Sequence, residues 1–378
     1  MEKFPQISGR TRSAVQRELL NWYRRTGRDL PWRRTSDPYC ILLAEFMLQQ
    51  TQVETVIPYY DRFLERFPTI QSLALASPSD VLKSWEGLGY YARARNLHRA
   101  AQIIIERDGG QIPATYDGLS SLPGFGPYTT AAVLSIAFEK DYAVLDGNVM
   151  RVVCRLFEIR EDIAQTRVKK CLWKLAEDLL PEGHAGDYNQ AMMELGATVC
   201  RPRQPDCLAC PLKSHCQARK AGHPETLPYK SPRKPRPHHT LGVGIVWRGN
   251  ELLIARRKEK GLLGGLWEFP AAQQKKGEPL QDCCLRAVLE ETGVEAGIQN
   301  RFHTVKHAFT HFSVTMHAFL CRYRRGRPRP LGCSDAQWAS PETLSSYAFS
   351  RANRKLIDAL LETDLRDLFS NATRSPNT

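Results

Sequence analysis

A tight glycine turn between two helical segments constrains the fold of this chain more than any other feature. The turn spans residues 122–127 and reads Leu-Pro-Gly-Phe-Gly-Pro. Proline ends one helix and can begin the next, and glycine permits a left-handed backbone, so the segment predicts a helix-hairpin-helix unit over about 114–138. The amides beside Gly124 and Gly126, at the start of the second helix, suit a phosphate. An ordinary turn is the alternative for a glycine pair taken alone.

An aspartate follows this unit at the start of another helical segment. Asp146 comes after an apolar run and before residues 148–153, which is the position of a helix N-cap. Backbone amides and the helix dipole at an N-cap favour the ionised form of a carboxylate. The sequence therefore predicts an anchored, ionised carboxylate close to the hairpin in the chain.

A second carboxylate stands inside an apolar helical segment. Residues 39–50 are almost wholly apolar, with Glu45 in the middle. A buried glutamate without a partner tends to take up a proton, which is the property of a general acid. The alternative is a glutamate on a thin polar face, bonded to arginine or to solvent.

Basic side chains outnumber acidic ones by 53 to 40, and the excess is unevenly distributed. Residues 101–200 hold nine basic and fourteen acidic side chains, whereas residues 201–250 hold ten and two. This distribution predicts a polyanionic partner that meets the positive stretch while the proposed pocket keeps its carboxylates. The alternative is a solvated basic surface without a partner.

Membrane and secretion signals are missing from the sequence. No run reaches the roughly 18 apolar residues that a membrane span needs, and residues 1–10 lack the apolar core of a signal peptide. We therefore expect a soluble, cytoplasmic protein that does not bind membranes.

Four of the eleven cysteines lie close together in a basic stretch. Their spacing is C-x6-C-x2-C-x5-C, and they are Cys200, Cys207, Cys210 and Cys216. Four thiolates so near one another predict one metal centre in a reducing compartment. Tetrahedral sulfur sites suit both zinc and a [4Fe-4S] cluster, so the spacing alone leaves the metal open.

A second glycine turn lies at 87–91, before a helical segment over 92–107. We expect Leu88 and Tyr90 to be exposed at its tip, either as a wedge for a base stack or as a hydrophobic staple between helices. The helical period predicts a buried apolar face and an outward basic face. The apolar face is Leu97, Ala101, Ile104 and Ile105, and the basic residues are Arg93, Arg95, His98 and Arg99.

Composition divides the chain into a helical part, a linker and an α+β part. We predict a helical domain over 1–222, a basic linker with five prolines over 223–239, an α+β domain over 240–369 and a disordered tail over 370–378. In the α+β part, residues 241–247 and 251–256 predict a β-hairpin. Helices are predicted over about 280–292 and 351–361.

The hairpin, Asp146 and the cysteine spacing together resemble the helix-hairpin-helix DNA glycosylase family, over residues 1–222. Glu45, Tyr128 and the attached second domain are similar to its adenine-specific members. The resemblance implies a monomer that flips adenine out of double-stranded DNA, opposite 8-oxoguanine or guanine, and hydrolyses its glycosidic bond to leave an abasic site. Relatives that also cut the strand have lysine at the position of Tyr128, so base removal without strand cleavage is expected.

The resemblance also implies roles for single residues. Glu45 protonates the five-membered ring of the base, and Asp146 stabilises the oxocarbenium ion or bonds to the sugar, with Tyr128 and Asn148 orienting the two carboxylates. The four cysteines hold one [4Fe-4S] cluster, and no other cofactor is expected. The positions that fill or contact the vacated base stack are Gln50, Val53, Leu88 and Tyr90.

The second domain is similar to Nudix domains. Glu278, Arg286 and residues 290–294 match the Nudix box, but Ala272 replaces its glycine and Ala287 replaces a glutamate. Loss of an acidic ligand for a hard cation argues against nucleotide hydrolysis. In adenine-specific relatives this domain reads 8-oxoguanine through a Phe-Ser-His loop, and the matching residues here are Phe309, Thr310 and His311, in which threonine keeps the hydroxyl.

Three other functions remain open from the sequence. A non-catalytic lesion-binding protein gives no reason for both Glu45 and Asp146. A Nudix hydrolase fused to a DNA-binding module is disfavoured by Ala287. The nearest alternative is a thymine-removing or strand-cutting glycosylase, which differs in the base it releases and in whether the strand is nicked.

Overall fold

The structure is a computed structural model that describes Pro5, residues 7–232 and residues 235–363. Its α-helices, in chain order, are α1 (Gly9–Thr26), α2 (Pro38–Leu48), α3 (Val53–Arg66), α4 (Ile70–Leu75), α5 (Pro78–Ser84), α6 (Ala92–Asp108), α7 (Tyr116–Ser120), α8 (Pro127–Phe138), α9 (Gly147–Phe157), α10 (Thr166–Leu179), α11 (Ala185–Thr198), α12 (Gln217–Lys220), α13 (Leu280–Thr292) and α14 (Arg351–Glu362). Its strands are β1 (His238–Arg248), β2 (Glu251–Arg256), β3 (Trp267–Glu268), β4 (Ala271–Gln273), β5 (Glu295–Ala308), β6 (Ser313–Arg325) and β7 (Asp335–Ala339). None of the helices in this part of the chain is long and apolar enough to cross a bilayer.

The chain forms two compact units. The first, which we call the helical unit, is Met1–Leu75 with Arg99–Arg233, and the second, the sheet unit, is Ala76–His98 with Lys234–Thr378. The sequence placed residues 76–98 in the helical domain. They group with the sheet unit because several of their side chains bond to residues of its C-terminal part, as described below.

The helical unit is built around α2 and α8, which are apolar on every side. Tyr39 and residues 41–47 of α2 are buried, because α2 packs against both α3 and α8. Helix α11 packs against α1, α8 and α9 and completes the core next to the hairpin. Helices that are hydrophobic all round belong in the interior of a domain.

The helix-hairpin-helix prediction is confirmed. Residues 121–126 connect α7 to α8, and Pro127 is the first residue of α8. Gly124 has φ +83°, a left-handed conformation in which a side chain is strained. Gly126 has φ −89° and is the N-cap of α8. An added Cβ at Gly126 would meet no atom within 4 Å, so the space before this helix start is open.

The predicted extended linker is structured at both ends. Residues Pro224–Thr226 form a 3-10 turn, and Leu227 is buried with its carbonyl accepting a hydrogen bond from Arg155 Nε at 2.9 Å. At the other end, β1 begins at His238. Both ends of the stretch are therefore tied to folded elements.

The sheet unit contains a seven-stranded sheet with the order β3-β2-β1-β6-β5, in which β4 also pairs with β1 and β7 with β2. Strands β1 and β6 run parallel, whereas the other pairs are antiparallel. The predicted hairpin is confirmed by the pairing of Trp247 with Leu252. The helices predicted at 280–292 and 351–361 match α13 and α14. The predicted tail over 370–378 lies outside the described residues.

The predicted outward basic face of α6 is wrong at two positions. Leu97, Ala101 and Ile104 are buried as expected, but Arg93 and His98 are buried as well. The Arg93 guanidinium lies over the rings of Trp85 and Tyr90, with its carbon 5.5 and 5.2 Å from the ring centres. Packing against these aromatic rings removes the side chain from solvent.

Candidate active site

A cavity of about 490 Å³ in the helical unit brings the two predicted carboxylates together. Glu45 from α2 and Asp146 from the start of α9 both line it. Tyr128, Asn148 and Val53 line it too. Its volume lies in the range of small-molecule pockets. Side chains that are far apart in the sequence thus meet in one space that can hold a ligand.

Glu45 is held inside the apolar core by α2. The helix begins where Asp37 Oδ1 accepts a hydrogen bond from the Tyr39 amide at 2.8 Å. Glu45 is 4% exposed and accepts a hydrogen bond from the Tyr128 hydroxyl at 2.9 Å. That hydroxyl also lies 3.2 Å from Met193 Sδ. The alternative of a glutamate on an exposed polar face is therefore wrong.

The environment of Glu45 favours its protonated form. Burial raises its pKa to about 7, and the negative charge of Asp146 acts in the same direction. The hydrogen bond from Tyr128 and the charge of Arg33 oppose this shift. A carboxyl group with a pKa near 7 can hold a proton for transfer at neutral pH.

Asp146 is the N-cap of α9, as the sequence predicted. Its Oδ1 accepts a hydrogen bond from the Val149 amide at 2.7 Å, and its Oδ2 accepts one from Asn148 Nδ2 at 2.9 Å. Burial raises the pKa of Asp146, whereas the amides of Val149 and Asn148 lower it. The capping bonds alone would place the pKa of Asp146 below its ordinary value. Burial is the larger effect, so the pKa lies above that value.

A buried arginine fixes Asn148 from behind. Arg151 Nη2 donates to Asn148 Oδ1 at 2.8 Å and to the Gly196 carbonyl at 2.7 Å, and Arg151 Nε donates to the Cys200 carbonyl at 2.7 Å. A Cβ at Gly196 would lie only 2.6 Å from Asn148 Cβ, so α11 needs a glycine there to approach α9. The Asn148 side chain, which donates to Asp146, is thus held by Arg151 and by the close approach of Gly196.

The sequence analysis missed an ion cluster on the wall of the cavity. Glu194 of α11 is 1% exposed, with Arg28 Nε 2.7 Å and Arg33 Nη2 2.9 Å from its carboxylate oxygens. Burial works to raise the pKa of Glu194, but the two arginines outweigh it and lower the pKa. The signal that identified Glu45, one carboxylate among apolar residues of a helix, is also present around Glu194.

The residues predicted to contact DNA are divided between the two units. Gln50, with φ +59°, is exposed just after α2. In the sheet unit, Leu88 is buried, contrary to the expected exposed tip, because residues 76–98 pack within that unit. Tyr90 is 44% exposed, and its hydroxyl lies 3.2 Å from Thr310 Oγ1. The last two predicted residues, Phe309 and His311, flank Thr310 in the β5–β6 connection.

The four cysteines lie near a buried arginine at the end of the helical unit. Arg155 is 1% exposed, and its Nη1 lies 3.3 Å from Cys200 Sγ. The Cys216 thiol donates to the Arg155 carbonyl at 3.3 Å. Burial, together with the charges of Cys200, Cys216 and Cys207, raises the pKa of Cys210 to about 12. Four thiols within electrostatic reach of one another, one beside a guanidinium, are a donor set that fits a metal–thiolate centre. The fit is one of chemistry and not yet of geometry. Among the residues that the structure describes, no three His, Cys, Asp or Glu side chains lie close enough together to hold a metal ion.

Comparison with known proteins identifies both parts of the chain. Residues 43–178 match the HhH-GPD superfamily of base excision DNA repair proteins, and residues 242–359 match the NUDIX domain. The human adenine DNA glycosylase is 35% identical over 91% of this chain and 73% of its own length. The chain belongs to the adenine DNA glycosylase family. It is a DNA glycosylase of base-excision repair, and it binds DNA.

Other relatives agree with this assignment. The adenine DNA glycosylase of Buchnera aphidicola from Acyrthosiphon pisum is 34% identical over 80% of this chain and 85% of its own length. The solved structure of a thermostable thymine-DNA glycosylase is 32% identical, covers 56% of this chain and 98% of its own, and superposes with a TM-score of 0.52. The helical fold with an attached Nudix-like α+β domain is thereby confirmed.

Proposed function

We propose that this protein removes adenine paired with 8-oxoguanine or guanine and leaves an abasic site without cutting the strand. The observation that carries the proposal is the pair of carboxylates, Glu45 and Asp146, that line one cavity with different surroundings. Release of a base from deoxyribose needs a proton for the departing base and a negative charge near the sugar. Membership of the adenine DNA glycosylase family supports adenine as the base.

Glu45 is the proton donor in this mechanism. Its pKa of about 7 keeps a fraction of the carboxyl group protonated at neutral pH. The proton passes to the five-membered ring of adenine, and the electrons of the glycosidic bond leave with the base. The Tyr128 hydroxyl orients the carboxyl group through its 2.9 Å hydrogen bond. The sugar is left as an oxocarbenium ion.

Asp146 is the anion that faces the sugar. Two carboxylates that interact in one cavity favour a single shared proton, and the pKa of about 7 supports Glu45 as the group that holds it. Hydrogen bonds from Val149 and Asn148 favour the ionised form of Asp146 and fix its direction. Asp146 then stabilises the oxocarbenium ion or bonds to the anomeric carbon. Water completes the reaction, and its oxygen remains on the abasic sugar.

The proposal that the strand stays intact depends on Tyr128. Strand-cutting relatives need an amine that forms a Schiff base with the sugar. The described residues that line the cavity include arginine but no lysine, and the arginines Arg28 and Arg33 are paired with Glu194. A guanidinium is too weakly nucleophilic to replace the amine.

DNA reaches the cavity only if adenine leaves the stack, which costs roughly a few kcal/mol. The open N-terminus of α8 beside Gly124 and Gly126 suits a backbone phosphate. Gln50 and Val53, at the junction of α2 and α3, would contact the space that the base vacates. In the second glycine turn only Tyr90 has an exposed side chain that can contact DNA, because Leu88 is buried.

The opposing base is read by the β5–β6 connection. Phe309, Thr310 and His311 form this turn, in which the Phe309 amide donates to the Phe312 carbonyl at 2.8 Å. The Thr310 hydroxyl is partly exposed and already within hydrogen-bonding distance of Tyr90. It can bond to groups that 8-oxoguanine has and guanine lacks.

The cysteines Cys200, Cys207, Cys210 and Cys216 would hold a [4Fe-4S] cluster. When bound, such a cluster would fix the loop 200–216, which also carries basic side chains that suit DNA phosphates. The guanidinium of Arg155 beside Cys200 Sγ would offset the negative charge of the thiolates. Iron and sulfide analysis of anaerobically purified protein tests this assignment, and one zinc per chain would contradict it.

The test of the function is base release from a set of duplexes. Each duplex pairs adenine or thymine with 8-oxoguanine, guanine, cytosine or adenine, and released bases are separated by chromatography. We expect free adenine from the pairs with 8-oxoguanine and guanine, and strand breaks only after alkali. Release of thymine alone would favour the second candidate, a thymine glycosylase, which the similarity of the helical unit to such an enzyme supports.

A further inference from the structure

Tyr90 in the second glycine turn has a backbone conformation that is unfavourable for tyrosine. Its φ is +48°, in the left-handed region that bulky side chains rarely adopt, between Gly89 and Tyr91. A residue in such a conformation persists only where its surroundings hold it. Its hydroxyl meets Thr310 Oγ1 at 3.2 Å. The turn 87–91 and the turn 309–311 therefore meet through one strained residue.

Glu86, immediately before this turn, is bonded to the C-terminal part of the sheet unit. Its Oε1 accepts a hydrogen bond from Arg354 Nη2 at 2.6 Å and one from the Phe349 amide at 3.0 Å. Its Oε2 pairs with Lys83. The side chains of Glu86 and Arg354 are only 18% and 27% exposed. One carboxylate thus joins the end of α5 to the start of α14.

Further bonds fasten the turn on either side of Tyr90. The Tyr91 hydroxyl donates to the Phe349 carbonyl at 3.3 Å and accepts from the Gly87 amide at 3.1 Å. Arg95 Nη1 donates to the Gly264 carbonyl at 2.7 Å. The bond from Tyr91 reaches Phe349, the residue whose amide Glu86 accepts from, so the turn is fastened to the C-terminal segment on both sides of Tyr90.

The Glu86–Arg354 ion pair is less exposed to solvent than a typical surface pair. Burial works to raise the pKa of Glu86, but the hydrogen bonds from Lys83, Arg354 and the Phe349 amide outweigh it and lower the pKa. Charge-assisted bonds in a partly buried site have more defined geometry than exposed pairs, which are screened by water. Removal of one partner leaves the other charge partly buried and unpaired.

We infer that Glu86 and Arg354 form a positioning pair that sets opposing-base discrimination by holding Tyr90 against Thr310. Neither side chain needs to contact DNA, because both act through the direction of the turn. The inference depends on the proposed function, in which Thr310 reads the opposing base. It adds two specificity-determining residues that lie outside the reading turn itself.

The test compares single-turnover adenine release from duplexes with adenine opposite 8-oxoguanine and opposite guanine. The variants are Glu86→Gln, Arg354→Gln and the double variant. Glutamine keeps the shape of Glu86 and an acceptor for the Phe349 amide, but it loses the charge. We expect the ratio of the two rates to fall about three- to tenfold, the effect of one net hydrogen bond, in each single variant. The double variant should fall no further, because both changes break one pair.

A matched control is the ion pair of Arg248 and Glu251, which spans another turn of the same unit at 2.7 Å. Glu251→Gln should leave the ratio unchanged. Tyr90→Phe removes the hydroxyl that meets Thr310, so it should lower the ratio in the wild-type background and have no added effect with Glu86→Gln. A merely structural role of Glu86 would give additive effects of the two changes.

Binding constants separate failure of this inference from failure of the proposed function. The ratio of dissociation constants for duplexes with a stable abasic analogue opposite 8-oxoguanine or guanine is measured for every variant. Absence of adenine release by the wild-type protein contradicts the proposed function, and the binding ratio then still tests the positioning pair. An unchanged ratio in folded Glu86→Gln and Arg354→Gln, or equal losses on both duplexes, would overturn the inference.

Discussion

The carboxylates of the cavity and those of the Nudix-like region have opposite surroundings. Glu45 in the cavity has a neutral hydroxyl as its hydrogen-bond partner, and burial raises its pKa to about 7. Glu278 in the Nudix-like region accepts hydrogen bonds from Arg286 at 2.7 and 2.9 Å, which lower its pKa to about 2. The same residue type thus has a raised pKa in one place and a lowered pKa in the other.

The comparison indicates that a domain can keep a fold without keeping the chemistry that other members of that fold perform. Arg286 bonds both Glu278 and Glu290, so two acidic positions of the Nudix box serve an ion-pair network. Alanine at 287 removes a third acidic position. The cavity of the helical unit instead keeps Glu45 and Asp146 close to one another with few opposing charges. The acidic residues of the cavity thus have the surroundings that our proposed reaction needs, whereas Glu278 and Glu290 are bound in ion pairs.

The largest expected effect follows from removing the anion of the cavity. Asp146→Asn keeps the shape and the N-cap position but cannot offset positive charge on the sugar, so adenine release should fall by at least about 10³-fold. Single-turnover assays and binding measurements on one duplex with adenine opposite 8-oxoguanine check this. Binding should stay within about threefold of wild type, since the phosphate contacts are intact. Retained turnover would exclude Asp146 from the chemistry.

The second effect is a pH dependence set by Glu45. Because the acid must be protonated, adenine release should fall about tenfold per pH unit above pH 7, and Glu45→Gln should lose this decline. The raised pKa also means that folding favours the protonated form, so stability from this group is present at low pH and is lost as pH rises through about 7. The melting temperature of Glu45→Gln should therefore rise relative to wild type between pH 5 and pH 8. If the difference in melting temperature between Glu45→Gln and the wild-type protein does not vary with pH, the pKa assigned to Glu45 is contradicted.

A smaller effect is expected at the reading turn of the sheet unit. Thr310→Ala or His311→Ala should reduce the preference for 8-oxoguanine over guanine about three- to thirtyfold, the range for one or two lost hydrogen bonds, and Phe309→Ala should reduce it because the turn loses its packing against Phe312. Asn250→Ala, in the exposed turn between β1 and β2, is a control that removes a polar side chain from another turn of the same unit. An unchanged preference in all three variants would mean that recognition lies elsewhere.

The smallest effect on adenine release is expected for Glu278, which pairs with Arg286 in the Nudix-like region. Glu278→Gln should leave adenine release unchanged and lower the melting temperature by about 2–4 °C, the shift for one net hydrogen bond, because the side chains of Glu278 and Arg286 are only 14% and 20% exposed and Arg286 keeps Glu290 as its second partner. Differential scanning calorimetry with a parallel release assay measures both. A large loss of adenine release would contradict the structural role given to Glu278.

Features that depend on neighbouring residues in the chain were predictable from the sequence. The N-cap position of Asp146 follows from a local pattern, and the structure has the capping bond to the Val149 amide. The burial of Glu45 follows from the apolar residues around it. Helix α13 matches its predicted bounds because a regular apolar period and Gly293 define both ends.

Features that depend on distant partners were not predictable. Glu194 pairs with Arg28 and Arg33, which lie in a different part of the chain, and no local pattern indicates that contact. Leu88 was expected to be exposed, but residues 76–98 pack in the sheet unit and bury it. The glycine turn at 87–91 predicts a change of chain direction, but it does not indicate that Glu86 beside it pairs with Arg354, more than two hundred residues away.

The central claim is that Glu45 supplies a proton and Asp146 a negative charge to one extruded purine nucleotide. The most direct test replaces adenine by N7-methyladenine, whose ring already carries a positive charge and leaves without a proton. After correction for spontaneous loss, Glu45→Gln should release N7-methyladenine within about tenfold of the wild-type rate, although it releases adenine far more slowly, and Asp146→Asn should be slow on both. If Glu45→Gln is equally impaired on both bases, Glu45 is not the proton donor and the account is contradicted.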